Sequence, residues 1–265
     1  MSKVNLSIQR ISLGVIFTAY LFFTGSKFYA EDAPEIDWTK LEGTAQADLG
    51  YGVAIGNDGS IYFNGYTLGH LNGNTNIGFE QGYPDAFLIK YSSDMSREWT
   101  DTFNGSTSPV RDQGKALGIA SDGFIYHSGN SNFKVFLNKY SSDGTKVWVK
   151  KWGDGGQTYN DGLAIASDGS IYVTGYSMAD LDGENNSGGY DAFITKFSSD
   201  GTKVWTKLLG TTSTDRAYNV TTASDGSVYI TGWTEGDLDG ETNSGAEDIF
   251  LTKYSSDGTK AWTKL

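Results

Sequence analysis

A tryptophan phrase recurs down this chain, and it constrains the fold more than any other feature. Trp38, Trp99, Trp148, Trp205 and Trp262 open similar runs at spacings of 61, 49, 57 and 57 residues. Between them lie Asp58-Gly59-Ser60-Ile61-Tyr62, Asp122-Gly123-Phe124-Ile125-Tyr126, Asp168-Gly169-Ser170-Ile171-Tyr172 and Asp225-Gly226-Ser227-Val228-Tyr229. Then come Asp85-Ala86-Phe87, Asp191-Ala192-Phe193 and Asp248-Ile249-Phe250, and Ser-Ser-Asp runs ending at Asp94, Asp143, Asp200 and Asp257. Units 148–204 and 205–261 agree at about half their positions without a gap. Self-similarity at a period of tens of residues marks a repeat architecture, in which one unit buries its apolar face only against the next.

Each unit holds four strand-like runs. In the third they are residues 162–166, 170–175, 192–197 and 203–207, short and rich in β-branched or aromatic residues. Asp168-Gly169 and Asp200-Gly201 are hairpin signals, since glycine accepts the positive φ of tight turns. A repeated antiparallel four-stranded unit of this length is the sequence form of a propeller blade. The expected fold is all-β and β-propeller-type. It has four four-stranded antiparallel blades, with one extra Trp strand near residues 37–41. A closed ring and an open arc both satisfy the pattern. Ile171, Val173, Phe193 and Phe197 are expected to pack against a neighbouring blade, with the repeated Trp as an anchor.

The run 168–175 (Asp-Gly-Ser-Ile-Tyr-Val-Thr-Gly), then 180–183 (Asp-Leu-Asp-Gly), 191–197 (Asp-Ala-Phe-Ile-Thr-Lys-Phe) and 199–205 (Ser-Asp-Gly-Thr-Lys-Val-Trp) closely resembles the bacterial SBBP (β-propeller) repeat. The resemblance covers residues 38–265. It implies propeller blades in an exported or cell-surface protein and assigns no activity, because fold does not fix function.

Residues 1–30 read as a secretory signal peptide. Lys3 and Arg10 precede the apolar run 11–23, and small residues follow to Ala30. The run is shorter than the roughly 20 residues that span a bilayer. Residues 31–37 read as a short linker and 38–265 as the repeat domain (units 38–98, 99–147, 148–204 and 205–261). The expected location is the periplasm, cell surface or medium. With no Cys the chain has no disulfides, no thiolate chemistry and no lipid-modified N-terminal Cys, so it is not a lipoprotein. Thirty-two acidic against 20 basic side chains, net −12, argue against nucleic acid as a partner.

The acids gather in one loop. The third unit reads Asp180, Asp182, Glu184, Asn186 and Asp191, and the fourth reads Asp237, Asp239, Glu241, Asn243 and Asp248. Alternate oxygens of a tight loop are what a hard cation such as Ca²⁺ takes, so these ten residues are the candidate metal ligands and Ca²⁺ the candidate cofactor. The same residue types also build turns without an ion. The first unit carries a weaker version (His70, Asn72, Asn74, Asn76), and the second lacks the loop. Asp48, Asp112 and Asp215 recur ahead of the first hairpin and read as loop-to-strand caps.

No catalytic set stands out. The two histidines, His70 and His127, sit at unrelated places, and metalloprotease, nucleophile-elbow and phosphate-loop motifs are missing. An enzyme site should break the repeat, and most of the acids obey it. Unit-specific aromatics are Tyr83, Trp152, Tyr159, Tyr190 and Trp233. Exposed, they would suit a carbohydrate face; buried, they serve packing. The leading expectation is a non-enzymatic exported binding or scaffold propeller. Its partners would be proteins or glycans at a surface, with self-association if the arc is open. The alternative is an exported propeller enzyme. For that reading, residues 199–205 are similar to the Trp-docking repeats of pyrroloquinoline quinone enzymes.

Overall fold

The computed structural model describes residues 39–265 except 107 and 154. The export signal, the linker and Trp38 lie outside the described residues. The chain divides into two units, Met1–Leu41 and Glu42–Leu265. In the first, residues 39–41 form no strand, so the described residues contain no spare Trp strand. The second holds sixteen strands and two single turns of 3₁₀ helix, Leu71–Gly73 and Phe79–Gln81.

Four antiparallel meanders follow one another. Blade 1 is β1 (Asp48–Ile55), β2 (Ile61–Thr67), β3 (Asp85–Tyr91) and β4 (Arg97–Phe103). Blade 2 is β5 (Asp112–Ile119), β6 (Ile125–Ser131), β7 (Lys134–Tyr140) and β8 (Lys146–Trp152). Blade 3 is β9 (Thr158–Ile165), β10 (Ile171–Ser177), β11 (Asp191–Phe197) and β12 (Lys203–Leu209). Blade 4 is β13 (Asp215–Thr222), β14 (Val228–Thr234), β15 (Asp248–Tyr254) and β16 (Lys260–Lys264). The expected blades are there, and the Trp strand is the fourth of each.

The core lies between sheets. Ile171, Val173, Phe193 and Phe197 pack on Tyr126, Leu137 and Trp152 of blade 2. Tyr172, Ala192 and Ile194 pack on Ile230, Phe250 and Tyr254 of blade 4. Period-two alternation thus sends one strand's side chains to two different neighbours, which is why each strand reads as nearly continuous apolar sequence. The tryptophans anchor these joints. Trp205 lies 5.9 Å from Tyr172 of its own blade, and its Nε1 donates to the carbonyl of Ser256 in the next (3.2 Å). Lys196 Nζ donates to the same oxygen at 2.9 Å. Trp99 and Lys90 repeat the arrangement on Ser142 (3.2 and 3.1 Å).

The inner strands β1, β5, β9 and β13 touch in sequence, and the sheets do not close into a ring. Leu88, Leu137 and Ile194 are fully buried, whereas their blade 4 counterpart Leu251 is 42% exposed and Ile249 is 79% exposed. At the other end Val53 and Ile55 are 72% and 70% exposed. The arrangement is an open arc.

One irregularity repeats in every blade and positions the site. Pairing of the inner strand with its neighbour skips one residue: Tyr51, Lys115, Asp161 and Tyr218 in turn. Each skipped residue is a bulge, which frees a side chain from the ladder and re-aims it. Opposite each bulge sits a glycine, because the backbones approach closely. A Cβ on Gly65, Gly129, Gly175 or Gly232 would stand 1.8–2.0 Å from a carbonyl oxygen of the inner strand.

Candidate functional site

The acidic loop is held by the chain's own donors. Leu181 is buried and plugs the core, and Asp182 and Gly183 both take positive φ (55° and 89°) in a tight turn. Asp182 then meets Lys203 through one oxygen and Thr206 Oγ1 through the other, at 2.6 Å. Glu184 pairs with Lys207 at 2.7 Å. Asp180 Oδ1 accepts the amide of Asn186 at 2.8 Å, and Asp191 Oδ2 accepts that of Ser187 at 2.8 Å. Asn186 donates its amide to the carbonyls of Ser177 and Gly189, both at 3.0 Å.

Blade 4 repeats this set. Asp239 pairs with Lys260 and Thr263, and Glu241 with Lys264. Asp237 accepts from Asn243, Asp248 from Ser244, and the Asn243 side chain donates to Thr234 and Ala246. The carboxylates therefore point to separate lysines, threonines and amides. Among the described residues no three acids or imidazoles gather into a cation cluster.

The second recurring acid is a cap. Asp215 Oδ2 accepts the amide and hydroxyl of Thr211 at 2.6 and 3.0 Å, and Asp48 does the same with Thr44. Asp112 accepts the Gly105 amide at 3.0 Å. Asp112 and Asp215 each lie close to a second buried carboxyl. Burial, with Asp112's charge adding to it, pushes Asp85 up to about 6, and burial then Asp215's charge raises Asp191.

The repeat breaks at the end of the sheets where the inner strands begin. The second inner-strand position is Leu49, Gln113, Tyr159 and Arg216 in the four blades, and its cross-strand partner is Tyr66, Asn130, Tyr176 and Trp233. The residue before the third strand is Pro84, Phe133, Tyr190 and Glu247. In blades 3 and 4 these choices build an aromatic cluster. Tyr159 and Tyr176 lie 5.2 Å apart, Tyr176 and Tyr190 lie 5.2 Å apart edge to face, and Tyr159 and Tyr190 lie 6.3 Å apart. The Arg216 guanidinium sits 4.6, 4.9 and 5.3 Å from the rings of Tyr176, Tyr190 and Trp233. Gln157 Oε1 accepts both tyrosine hydroxyls, from Tyr190 at 2.6 Å and Tyr159 at 3.2 Å.

The bulge residues adjoin this cluster. Trp233 Nε1 donates to Tyr218 Oη at 2.8 Å. Burial lifts the Asp161 carboxyl to about 6 against the pull of Lys115 and Arg216. Burial, then Asp161's charge, pushes the Tyr176 hydroxyl up to about 12.

Beside Tyr159 opens a cavity of about 340 Å³, lined by Arg111, Gln113, Asn130, Asn132, Phe133 and Tyr159. Of the five aromatics singled out by sequence, Tyr159, Tyr190 and Trp233 converge here. Trp152 does not: it is buried 4.9 Å from Phe197. Tyr83 lies in the long loop of blade 1. Sequence reasoning missed Phe133, Tyr176, Arg111 and Arg216. The signal for them was divergence at aligned positions beside the strand starts.

A model of the SBBP β-propeller repeat matches residues 204–239. The regulatory protein FlaEY of Caulobacter vibrioides is 28% identical over 209 residues, covering 67% of this chain and 21% of that protein. The chain thus spans about a fifth of the length of that curated relative. Among solved structures, a gluconolactonase from Xanthomonas campestris aligns at 12% identity and TM-score 0.42, over 80% of this chain and 60% of its own. An exo-1,5-α-L-arabinanase from a bovine ruminal metagenomic library aligns at 12% identity and TM-score 0.43, over 79% and 76%. A protein of unknown function from Bacteroides caccae aligns at 9% identity and TM-score 0.40, over 67% and 53%. Residues 204–239 thus match the SBBP β-propeller repeat, and the four meanders share one strand order.

Proposed function

We propose that the chain is a binding module of an exported or surface protein, and that it holds glycans on the aromatic face of blades 2–4. The observation that carries this reading is where the repeat symmetry fails. Blades built from one pattern diverge at three aligned positions, and there they place half-buried rings beside an arginine and amides. Aromatic faces stack on the apolar faces of sugar rings, while amide and guanidinium groups take the hydroxyls. A symmetric scaffold has no packing reason to concentrate its differences at one end.

The test is a titration of the purified chain against neutral and acidic oligosaccharides by calorimetry. Binding that falls about tenfold or more in Tyr159→Ala and Trp233→Ala, with circular dichroism unchanged, supports the reading; hot-spot truncations of this kind cost about 2 kcal/mol. No binding to any glycan would refute it.

A second reading rests on Asp161. A carboxyl held near 6 beside a sugar-binding face has the acidity a general acid needs. Glycan hydrolysis by the wild type that is lost in Asp161→Asn would favour an enzyme.

A further inference from the structure

We propose that the ligand of this face is an acidic sugar, a saccharide bearing a carboxylate, seated in the cavity beside Tyr159 with Arg111 as the carboxylate's partner. The proposal deepens the glycan reading and rests on it.

Blade 2 makes room for this cavity. Blade 3 joins its second and third strands through residues 178–190, whereas blade 2 does so through Asn132 and Phe133 alone. Both take positive φ, 50° and 65°, as a two-residue hairpin demands. Phenylalanine rarely adopts that conformation, and such outliers gather at ligand sites. The turn leaves Phe133 47% exposed and sets it edge to face on Tyr159, 6.1 Å away at 87°. Two rings thus wall one side of a space the size of a small ligand.

The opposite side is polar. Asn130 is committed to blade 3: its Oδ1 accepts the Asn160 amide at 2.6 Å, and its Nδ2 donates to the Asn160 carbonyl at 3.3 Å. Gln113, Asn132 and Arg111 are left to meet a ligand. Asn132's backbone amide donates to the Arg111 carbonyl at 3.0 Å, which ties the arginine's backbone to the turn.

Arg111 stands out in a chain with 32 acids against 20 bases. Arg97 pairs with Glu42 at 3.1 Å. Among the described residues Arg111 has no carboxylate within ion-pair distance, and it is exposed at the cavity mouth. Its charge acts on Tyr66 and Tyr159 instead. A guanidinium offers a planar fork of donors that matches a carboxylate with two parallel hydrogen bonds. Rings for the sugar face, amides for hydroxyls and one free guanidinium for a planar anion together describe a uronic-acid-type sugar.

The experiment titrates the purified chain with trigalacturonate and with its methyl ester, the neutral isostere. Wild type should bind the acid about tenfold or more tightly than the ester, the size expected of a charge-assisted hydrogen bond. Arg111→Met should abolish that preference, with ester binding still measurable and circular dichroism unchanged, which shows that the cavity remains folded. Equal affinity of wild type for acid and ester would overturn the proposal and leave the glycan reading standing. A preference that survives Arg111→Met would overturn the role of Arg111. Binding to neither would overturn both readings.

Discussion

Asp85→Asn should stabilise this protein at pH 8 and do nothing at pH 4. Asp85 opens β3, is 1% exposed, and accepts the amide of Ile77 through Oδ2 at 3.3 Å. Burial first, and the nearby charge of Asp112 after it, lift its carboxyl from 3.8 to about 6. The folded state therefore holds that proton more tightly than the unfolded chain does. The stability this supplies is complete below about 4 and is lost as pH rises through 6. The full lift corresponds to about 3 kcal/mol at 1.36 kcal/mol per tenfold. Solvent screening and the charge shared with Asp112 reduce it to about 1–2 kcal/mol.

Asparagine keeps the acceptor for Ile77 and stays neutral at every pH, so the variant should escape the loss. Urea unfolding of both proteins at pH 4 and 8 measures the difference. It should be near zero at pH 4 and about 1–2 kcal/mol in the variant's favour at pH 8, or roughly 2–8 °C in midpoint. His127 titrates over the same window with the opposite sign, because burial lowers it to about 3. Its contribution is common to both proteins and cancels. A difference that does not change with pH, or a variant less stable at pH 8, would refute the electrostatic account of this joint.

Three further outcomes are expected. A thermal melt in EDTA and in excess Ca²⁺ should show no resolvable shift, because lysines, threonines and amides already hold the loop carboxylates; binding at 100 times Kd would add about 2.7 kcal/mol and mark the loops as cation sites. Trp205→Ala should cost about 3–5 kcal/mol in chemical unfolding, and Trp262→Ala about 1 kcal/mol, since Trp205 packs into the blade 3–4 core while Trp262 is 38% exposed; equal costs would show that Trp205 is not an anchor. Gly175→Ala should destabilise by more than about 2 kcal/mol, because its Cβ would meet the Tyr159 carbonyl at 1.9 Å; a neutral result in the same assay would mean that the bulge relaxes.

The fold was legible because each blade repeats a hairpin grammar that local chemistry enforces. Asp168 accepts the amide of Ser170 at 2.8 Å, and Gly169 takes φ of 80°. The open arc was not legible, since Leu251 and Leu137 look alike until a neighbour covers one of them. The acidic loop was ambiguous for a chemical reason: alternating oxygens serve an ion and a set of amides equally. The loop's spacing does not reveal that Lys203 and Lys207, about twenty residues downstream, reach back to pair with Asp182 and Glu184. Site aromatics were half visible. Tyr159 and Tyr190 stood out as departures from the repeat, but Phe133 gained its place from a loop that blade 2 lacks.

The bulge gives the propeller an unusual freedom. Tyr51, Lys115, Asp161 and Tyr218 sit outside the register, so exchanging one for another alters no cross-strand partner. The opposing glycines preserve the geometry whatever that residue is. Duplication of a blade therefore copies a socket along with a scaffold, and the socket can take a ring, an acid or a base without disturbing the sheet that carries it. In such a protein, ligand preference and folding can drift on separate residues.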